Sequence, residues 1–341
     1  MGLFSFLTKE IAVDLGTANT FIVYNDEIVV DEPSVIAINR NTNSLHAVGE
    51  EALRMDGRAP EHIKVVWPLK DGVIADFQAA EMMLVAFLQK LSGSQRSLFP
   101  PSLRVVVCIP SGITEVEERA VRDSTEQAGA RDVRLIYEPM AAAIGIGLDV
   151  LEPEGNIVVD IGGGTSEIAV ISLGGIVQQT SIKTAGDEFT QDIVDYIRQK
   201  HGMSIGRRTA ELVKINVGAA MMDISNPPEP FEVHGRDLMD GIPKAIKVTH
   251  HEIAEALDNS ISQVETAVLN ALEKTPPELS ADIYNSGIYL AGGGSLLRGL
   301  DKRLHLKTKL PVNIAEDPLR AVARGTAVAL KNFYRFPFLI K

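Results

Sequence analysis

The chain has 341 residues, 45% hydrophobic and 23% charged, enough apolar material for one large or two medium folded domains. Its formal net charge of −12, from 45 acidic against 33 basic side chains, argues against nonspecific nucleic-acid binding and restricts any contact with an anionic membrane to a local patch. The single cysteine, Cys108, excludes an internal disulfide and a cysteine-based metal site and points to a reducing, cytoplasmic setting.

In chain order, the first feature is an apolar opening, Leu3, Phe4, Phe6 and Leu7. It is too short for a signal-peptide apolar core, and no basic residue precedes it. No later stretch approaches the ~18–20 apolar residues that span a bilayer. At 100° per residue the four side chains fall within an arc of about 160°, with Ser5, Thr8 and Lys9 opposite. That pattern predicts a two-turn amphipathic helix able to lie in a bilayer interface. The alternative is a hydrophobic lead-in packed on the first strand.

IAVDLGTANTFIVY at 11–24 reads as two strands joined by an Asp-x-Gly turn, and IVVDIGGGTSEIAV at 157–170 repeats it 146 residues later. Two such hairpins, each heading a half of the chain, predict a duplicated domain with facing turns. Between them, Leu98 and Phe99 sit beside Pro100 and Pro101, which keep this apolar tip in a loop. A buried strand is expected over 104–109, then a capping box at Thr114-Glu-Val-Glu117 opening a helix that runs to about Gly129. A short strand at 135–137 leads to Glu138-Pro139 at a helix start. Beyond the second hairpin, an amphipathic helix runs from Asp187 to about Lys200 and stops at Gly202. His250 and His251 start another helix and are expected on a solvated surface. A strand at 288–290 precedes the glycine turn 292–295. The tail 332–341 holds three of the eleven phenylalanines; membrane binding, partner binding and packing on its own domain are equal alternatives.

The glycine turns carry the chemistry. Gly16-Thr17-Ala18-Asn19, Gly162-Gly163-Gly164-Thr165 and Gly292-Gly293-Gly294-Ser295 each follow a strand, and small residues let backbone N–H groups approach phosphate oxygens. There is no G-x-x-x-x-G-K-[ST] and no G-x-G-x-x-G, so neither a P-loop nor a dinucleotide fold is indicated. Asp14 and Asp160, one per hairpin, offer two hard oxygen ligands suited to Mg2+, held through water.

The motifs DLGTANT, DIGGGT and AGGGS resemble the two phosphate motifs and the adenosine motif of the actin-like ATPase superfamily. PSGITEVEERA at 110–120, YEPMAAAIG at 137–145, GRDL at 235–238 and IAEDP at 314–318 resemble, more narrowly, the MreB family of bacterial rod-shape proteins. The similarity runs over about 9–331. It implies an α/β, duplicated actin-like (ribonuclease-H-like) fold. Its two similar domains would flank a nucleotide cleft, domain I over 11–150 with an inserted subdomain at about 33–75, and domain II over 151–331 with one at about 187–260. Residues 1–10 would be a membrane-binding segment.

The resemblance further implies ATP with Mg2+ as cofactors, phosphates between the turns at 16–19 and 162–165, and adenosine held by 292–295 with Leu296 and by Glu211, Leu212, Val213 and Lys214. Leu212 and Val213 depart from the family's usual residues at those places. Glu138 would orient the attacking water, Thr165 would offer it a hydroxyl, and Asp14 and Asp160 would serve the metal. Implied partners are other copies in a filament, the inner face of the cytoplasmic membrane reached through Leu3, Phe4, Phe6, Leu7, Leu98 and Phe99, and the membrane-bound cell-wall elongation machinery. Two other readings compete: a non-polymerising ATP-dependent membrane-recruitment module, and a small-molecule kinase. The kinase needs a second pocket with a base for an acceptor hydroxyl, and no surplus acidic motif stands beside the phosphate turns.

Overall fold

The structure, a computed structural model, describes residues 8–92 and 102–341. Leu3, Phe4, Phe6, Leu7, Leu98 and Phe99 therefore lie outside the described residues. The chain divides into two compact units. The first takes the residues up to Pro153 together with Ile171–Ile176 and Leu319–Lys341; the second takes Glu154–Val170 and Val177–Pro318.

In the first unit, β1 (Thr8–Leu15) and β2 (Asn19–Tyr24) form the hairpin read from the sequence, and β3 (Glu27–Pro33) continues it. A small sheet of β4 (Ile36–Asn39), β5 (Ser44–Val48) and β6 (Ile63–Val66), with helix α1 (Glu50–Met55), is inserted next and has its own core around Val35, Ala37 and Ala52. A hairpin of β7 (Leu69–Lys70) and β8 (Val73–Ile74) leads to helix α2 (Phe77–Ser92). Then β9 (Ser102–Ile109), helix α3 (Glu115–Gln127), β10 (Ala130–Tyr137) and helix α4 (Glu138–Gly145) follow. The main sheet runs β10-β9-β1-β2-β3, with β9 parallel to both β1 and β10.

Both faces of β1 and β9 are covered, which is why these strands read as unbroken apolar runs. Ile11, Val13, Val105 and Val107 pack with Met83 and Phe87 of α2 and Val121 of α3. Against the opposite face lie α4 and a returning helix, Ala321–Lys331. These two helices cross at Gly145 and Gly325, where a Cβ on either would collide with a backbone carbonyl of the other helix, Ala321 O or Ala141 O. The crossing is closer than any side chain allows.

The second unit repeats the plan. Its sheet of β11 (Asn156–Ile161), β12 (Ser166–Ser172), β13 (Gly175–Ile182), β17 (Ile288–Ala291) and β18 (Val312–Ile314) is ordered β18-β17-β11-β12-β13. β11, β12 and β13 take the places of β1, β2 and β3, while β17 and β18 take those of β9 and β10. Its helices are α5 (Gly186–His201), α6 (Arg207–Val217), α7 (His250–Glu273), α8 (Pro277–Ser286) and α9 (Leu300–Thr308). The intervening strands β14 (Met203–Ser204), β15 (Phe231–Asp237) and β16 (Pro243–Val248) form a separate small sheet. One core joins Ile157, Val159 and Ile168 of the sheet to Phe189, Ile193, Leu257 and Val264 of the helices.

Two local expectations are revised, and among the alternatives for the tail one is observed. The strand expected at 135–137 begins at Ala130; Arg131, Asp132 and Arg134 disguise it, because it is an edge strand that keeps polar side chains. His250 is buried, not solvated: as the first residue of α7 its Nε2 lies 3.1 Å from Met222 O, while His251 is exposed. The tail packs on its own unit. Phe333 and Leu339 are buried, and Ile340 exchanges both backbone hydrogen bonds with Leu135, each 2.9 Å.

Candidate functional site

In the first unit the turn after β1 is pinned from two sides. Ser34 donates its hydroxyl to Gly16 O at 2.6 Å and its N–H to Ala18 O at 2.9 Å, and its hydroxyl also lies 2.8 Å from that of Thr20. Thr17 is buried, and its hydroxyl accepts the Gly72 N–H at 3.0 Å from the turn of the β7–β8 hairpin. Gly16 is demanded by closeness: a Cβ there would stand 2.7 Å from Asn19 O. Ala18 and Asn19 are half-buried, so the turn's tip is accessible. Asp14, opposite Phe21 in the last register pair but one before the turn, is buried, and burial pushes its carboxyl up to about 7. No cationic side chain contributes to that shift. Glu138 is the first residue of α4 and half-buried, with Tyr137 as N-cap and Pro139 in the first turn.

The second unit gathers three of the sequence's candidate segments around the end of β11. The turn Gly162–Thr165 closes on itself through Gly162 N–H to Thr165 O, 2.9 Å. The carbonyls of Gly162 and Gly163 accept the N–H groups of Gly186 and Asp187 at 3.1 and 2.7 Å, which ties the turn to the start of α5. Lys214 of α6 donates to Gly186 O at 2.8 Å and to the Thr190 hydroxyl at 2.9 Å, and pairs with Glu211 at 2.8 Å. The Thr190 hydroxyl reaches Glu211 at 2.6 Å. The Glu211–Lys214 pair is thus tied to Gly186, whose N–H holds the Gly162–Thr165 turn. Val213 is buried in the core, whereas Leu212 is 45% exposed.

The third glycine turn lies against β11. Gly292 has φ +76°, and a Cβ there would collide with Asp160 Oδ1 and Ile161 O; one on Gly294 would collide with the Ile161 side chain. Gly293–Leu296 form one turn of 3-10 helix, with the Ser295 hydroxyl donating to Gly292 O at 2.7 Å. Asp160, Thr165 and Ser295 are buried, while Leu296 is 53% exposed. This unit thus offers glycine backbone, one Lys–Glu pair and two exposed leucines, groups of the kind that take an apolar base and an anion.

Sequence reasoning missed the residues that brace these segments. Thr190 and Gly186 are ordinary helix residues in the text and carry no signal. Asp71-Gly72, both at positive φ, is a recognisable hairpin-turn dipeptide, but nothing in the sequence ties it to Thr17.

Two sheets of one order, each beginning with an Asp-x-Gly hairpin and each carrying an inserted sheet, define an actin-like protein. A family model described as MreB/Mbl protein matches residues 8–337, and the chain belongs to that family. It is 48% identical to the cell shape-determining protein Mbl of Bacillus cereus over 96% of this chain and 98% of that protein. It is likewise 48% identical to the cell shape-determining protein MreB of Escherichia coli, over 97% of this chain and 94% of that one. Among solved structures, MreB5 of Spiroplasma citri bound to AMPPNP superposes with a TM-score of 0.90 at 39% identity, covering 96% of this chain and 97% of that one. The MamK double helical filament, at 21% identity and TM-score 0.79, shares the fold.

Proposed function

We propose that this protein binds and slowly hydrolyses ATP, polymerises when ATP is bound, and lies as filaments on the inner face of the cytoplasmic membrane, where it organises the cell-wall elongation machinery. The carrying observation is the glycine rim of the second unit, with Lys214 and Glu211 held beside the phosphate turn. Relatives support it: the Spiroplasma citri protein was solved with AMPPNP and with ADP. The cell shape-determining relatives and the MamK filament supply the assembly part of the reading.

In this reading the turns Gly16–Asn19 and Gly162–Thr165 bind the phosphates through backbone N–H groups. Glu211, Lys214, Leu212 and Gly292–Leu296 bind the nucleoside. Glu138 accepts a hydrogen bond from the water that attacks the terminal phosphorus, and Thr165 fixes the same water, so that phosphate leaves in line with ADP. The residues present fit a magnesium ion. Asp14 is a buried hard-oxygen group, and no cationic side chain offsets the cost of its ionisation. Among the described residues no three His, Cys, Asp or Glu form a cage of their own; Asp14 and Asp160 would hold the ion through its waters. When bound it would supply charge neutralisation, with Asp14 and Asp160 orienting its waters.

Filament formation follows from closure of the nucleotide-bound form and head-to-tail contacts that do not close. Electron microscopy of the purified full chain with ATP on a lipid monolayer tests nucleotide, polymer and membrane together. Filaments lying on the lipid are expected. Bound protein without filaments means a recruitment module instead.

A further inference from the structure

We infer that Thr190, in the second turn of α5, is a positioning residue for the nucleotide. Its hydroxyl locks the Glu211–Lys214 pair of α6 to the start of α5, so that this pair and the Gly162–Thr165 turn are braced as one piece. This rests on the nucleotide reading above and adds to it a residue that acts through others. Thr190 is 1% exposed, so its hydroxyl is satisfied inside the protein and not by bulk water.

Counting protons assigns the bonds. The Thr190 hydroxyl lies 2.6 Å from Glu211 Oε2, 2.9 Å from Lys214 Nζ and 2.9 Å from Gly186 O. A hydroxyl has one proton to give. The carboxylate is both the closer and the stronger acceptor, so Thr190 donates to Glu211 and accepts from Lys214. Lys214 has three N–H groups, and three oxygens meet them: Thr190 Oγ1, Glu211 Oε2 at 2.8 Å and Gly186 O at 2.8 Å. The ammonium is thus fully engaged within the protein. Among the described residues Glu211 Oε1 has no partner, which leaves it as the acceptor this cluster offers to a ligand.

One peptide group joins this cluster to the phosphate turn. The Gly186–Asp187 peptide accepts Lys214 at its carbonyl and donates its N–H to Gly163 O at 2.7 Å. Hydrogen bonds in series polarise one another, so the lysine charge strengthens the bond to Gly163. Gly186 permits the closeness, because a Cβ there would stand only 3.1 Å from Gly162 O. An unbraced lysine or glutamate keeps several rotamers, and ordering them on binding would weaken affinity. Thr190 fixes both side chains before any ligand arrives.

The test is ADP affinity of the full chain, by calorimetry in the presence of magnesium. Thr190→Val keeps the side chain's shape and removes the hydroxyl; it is expected to weaken ADP about tenfold. Thr190→Ser restores the hydroxyl and should stay within about twofold of the parent. With ATP, KM should rise in Thr190→Val while kcat at saturation stays within about twofold, since the hydroxyl acts on binding. In a Lys214→Met background the added loss from Thr190→Val should shrink to about threefold or less, because the two residues act through one cluster. Where Thr190→Val does not fold, Thr190→Ala removes the same hydroxyl without crowding. ADP affinity within twofold of the parent, an equal loss in Thr190→Ser, or an undiminished tenfold loss in the Lys214→Met background overturns the assignment while the nucleotide reading stands. If the parent binds neither ADP nor ATP, the nucleotide reading fails and the role of Thr190 fails with it.

Discussion

At Glu138 the sequence and the structure meet at a single carboxylate: first residue of α4, at the end of an edge strand. If it orders the attacking water, Glu138→Ala keeps nucleotide affinity and loses turnover by about a hundredfold or more, read by phosphate release under saturating ATP. Turnover within twofold of the parent removes the assignment. Asp14 gives a second residue-scale expectation. Its folded pKa, about 7, lies above the ordinary aspartate value of 3.8, so the native state holds its proton where the unfolded chain has released it. The contribution to stability is therefore full below about pH 4 and is lost as pH rises toward 7. In nucleotide-free protein, urea unfolding should show that decline, on the order of 4 kcal/mol at most, and Asp14→Asn should abolish it. The same slope in the variant would sink the attribution to Asp14. The glycines, aspartates and Glu138 are legible because each carries a motif. Thr17's bond to Gly72 is not, since 55 residues of chain separate them and neither residue signals the other.

Among the elements, those with local signals are legible and those fixed by tertiary contact are not. Thr114 and Thr249 each form a complete capping box, with Glu117 and Glu252. The first stands out in the text; the second is masked by His250-His251, which read as a solvated pair. Thr249→Ala should cost about 1 kcal/mol, measured by chemical unfolding; no change would mean that water or the Glu252 side chain replaces the lost bond. β10 reads as only three residues because period-two alternation with charged partners resembles a loop on an edge. The crossing of α4 with the returning helix has no sequence signal at all, since Gly145 and Gly325 stand 180 positions apart in the text. Gly325→Leu should therefore separate the helices, cost several kcal/mol, and slow hydrolysis by moving α4 and with it Glu138.

For the whole molecule, the duplication is readable from two hairpins, and the strand orders bear out the repeat element by element. Assembly belongs to this scale. In the proposed filament, apolar anchors worth about 1.5–3 kcal/mol per buried side chain would become firm by being set in a row. Deleting residues 2–7 and changing Leu98 and Phe99 to Ser should abolish liposome co-sedimentation yet leave ATP binding within about twofold; lipid binding at the parent's level would remove these anchors.

The chain's path has a consequence for how the protein is made. The sheet of the first unit is complete once β10 has been translated, but α4's partner, the helix Ala321–Lys331, is encoded after the entire second unit. A nascent chain on the ribosome thus carries an open apolar face on Ala12 and Val106 until the second unit and the helix after it have been read. Shortening the gene at codon 319 should yield not a smaller folded protein but a sticky one, retained by chaperones, because the missing piece is a wall of the first-made half.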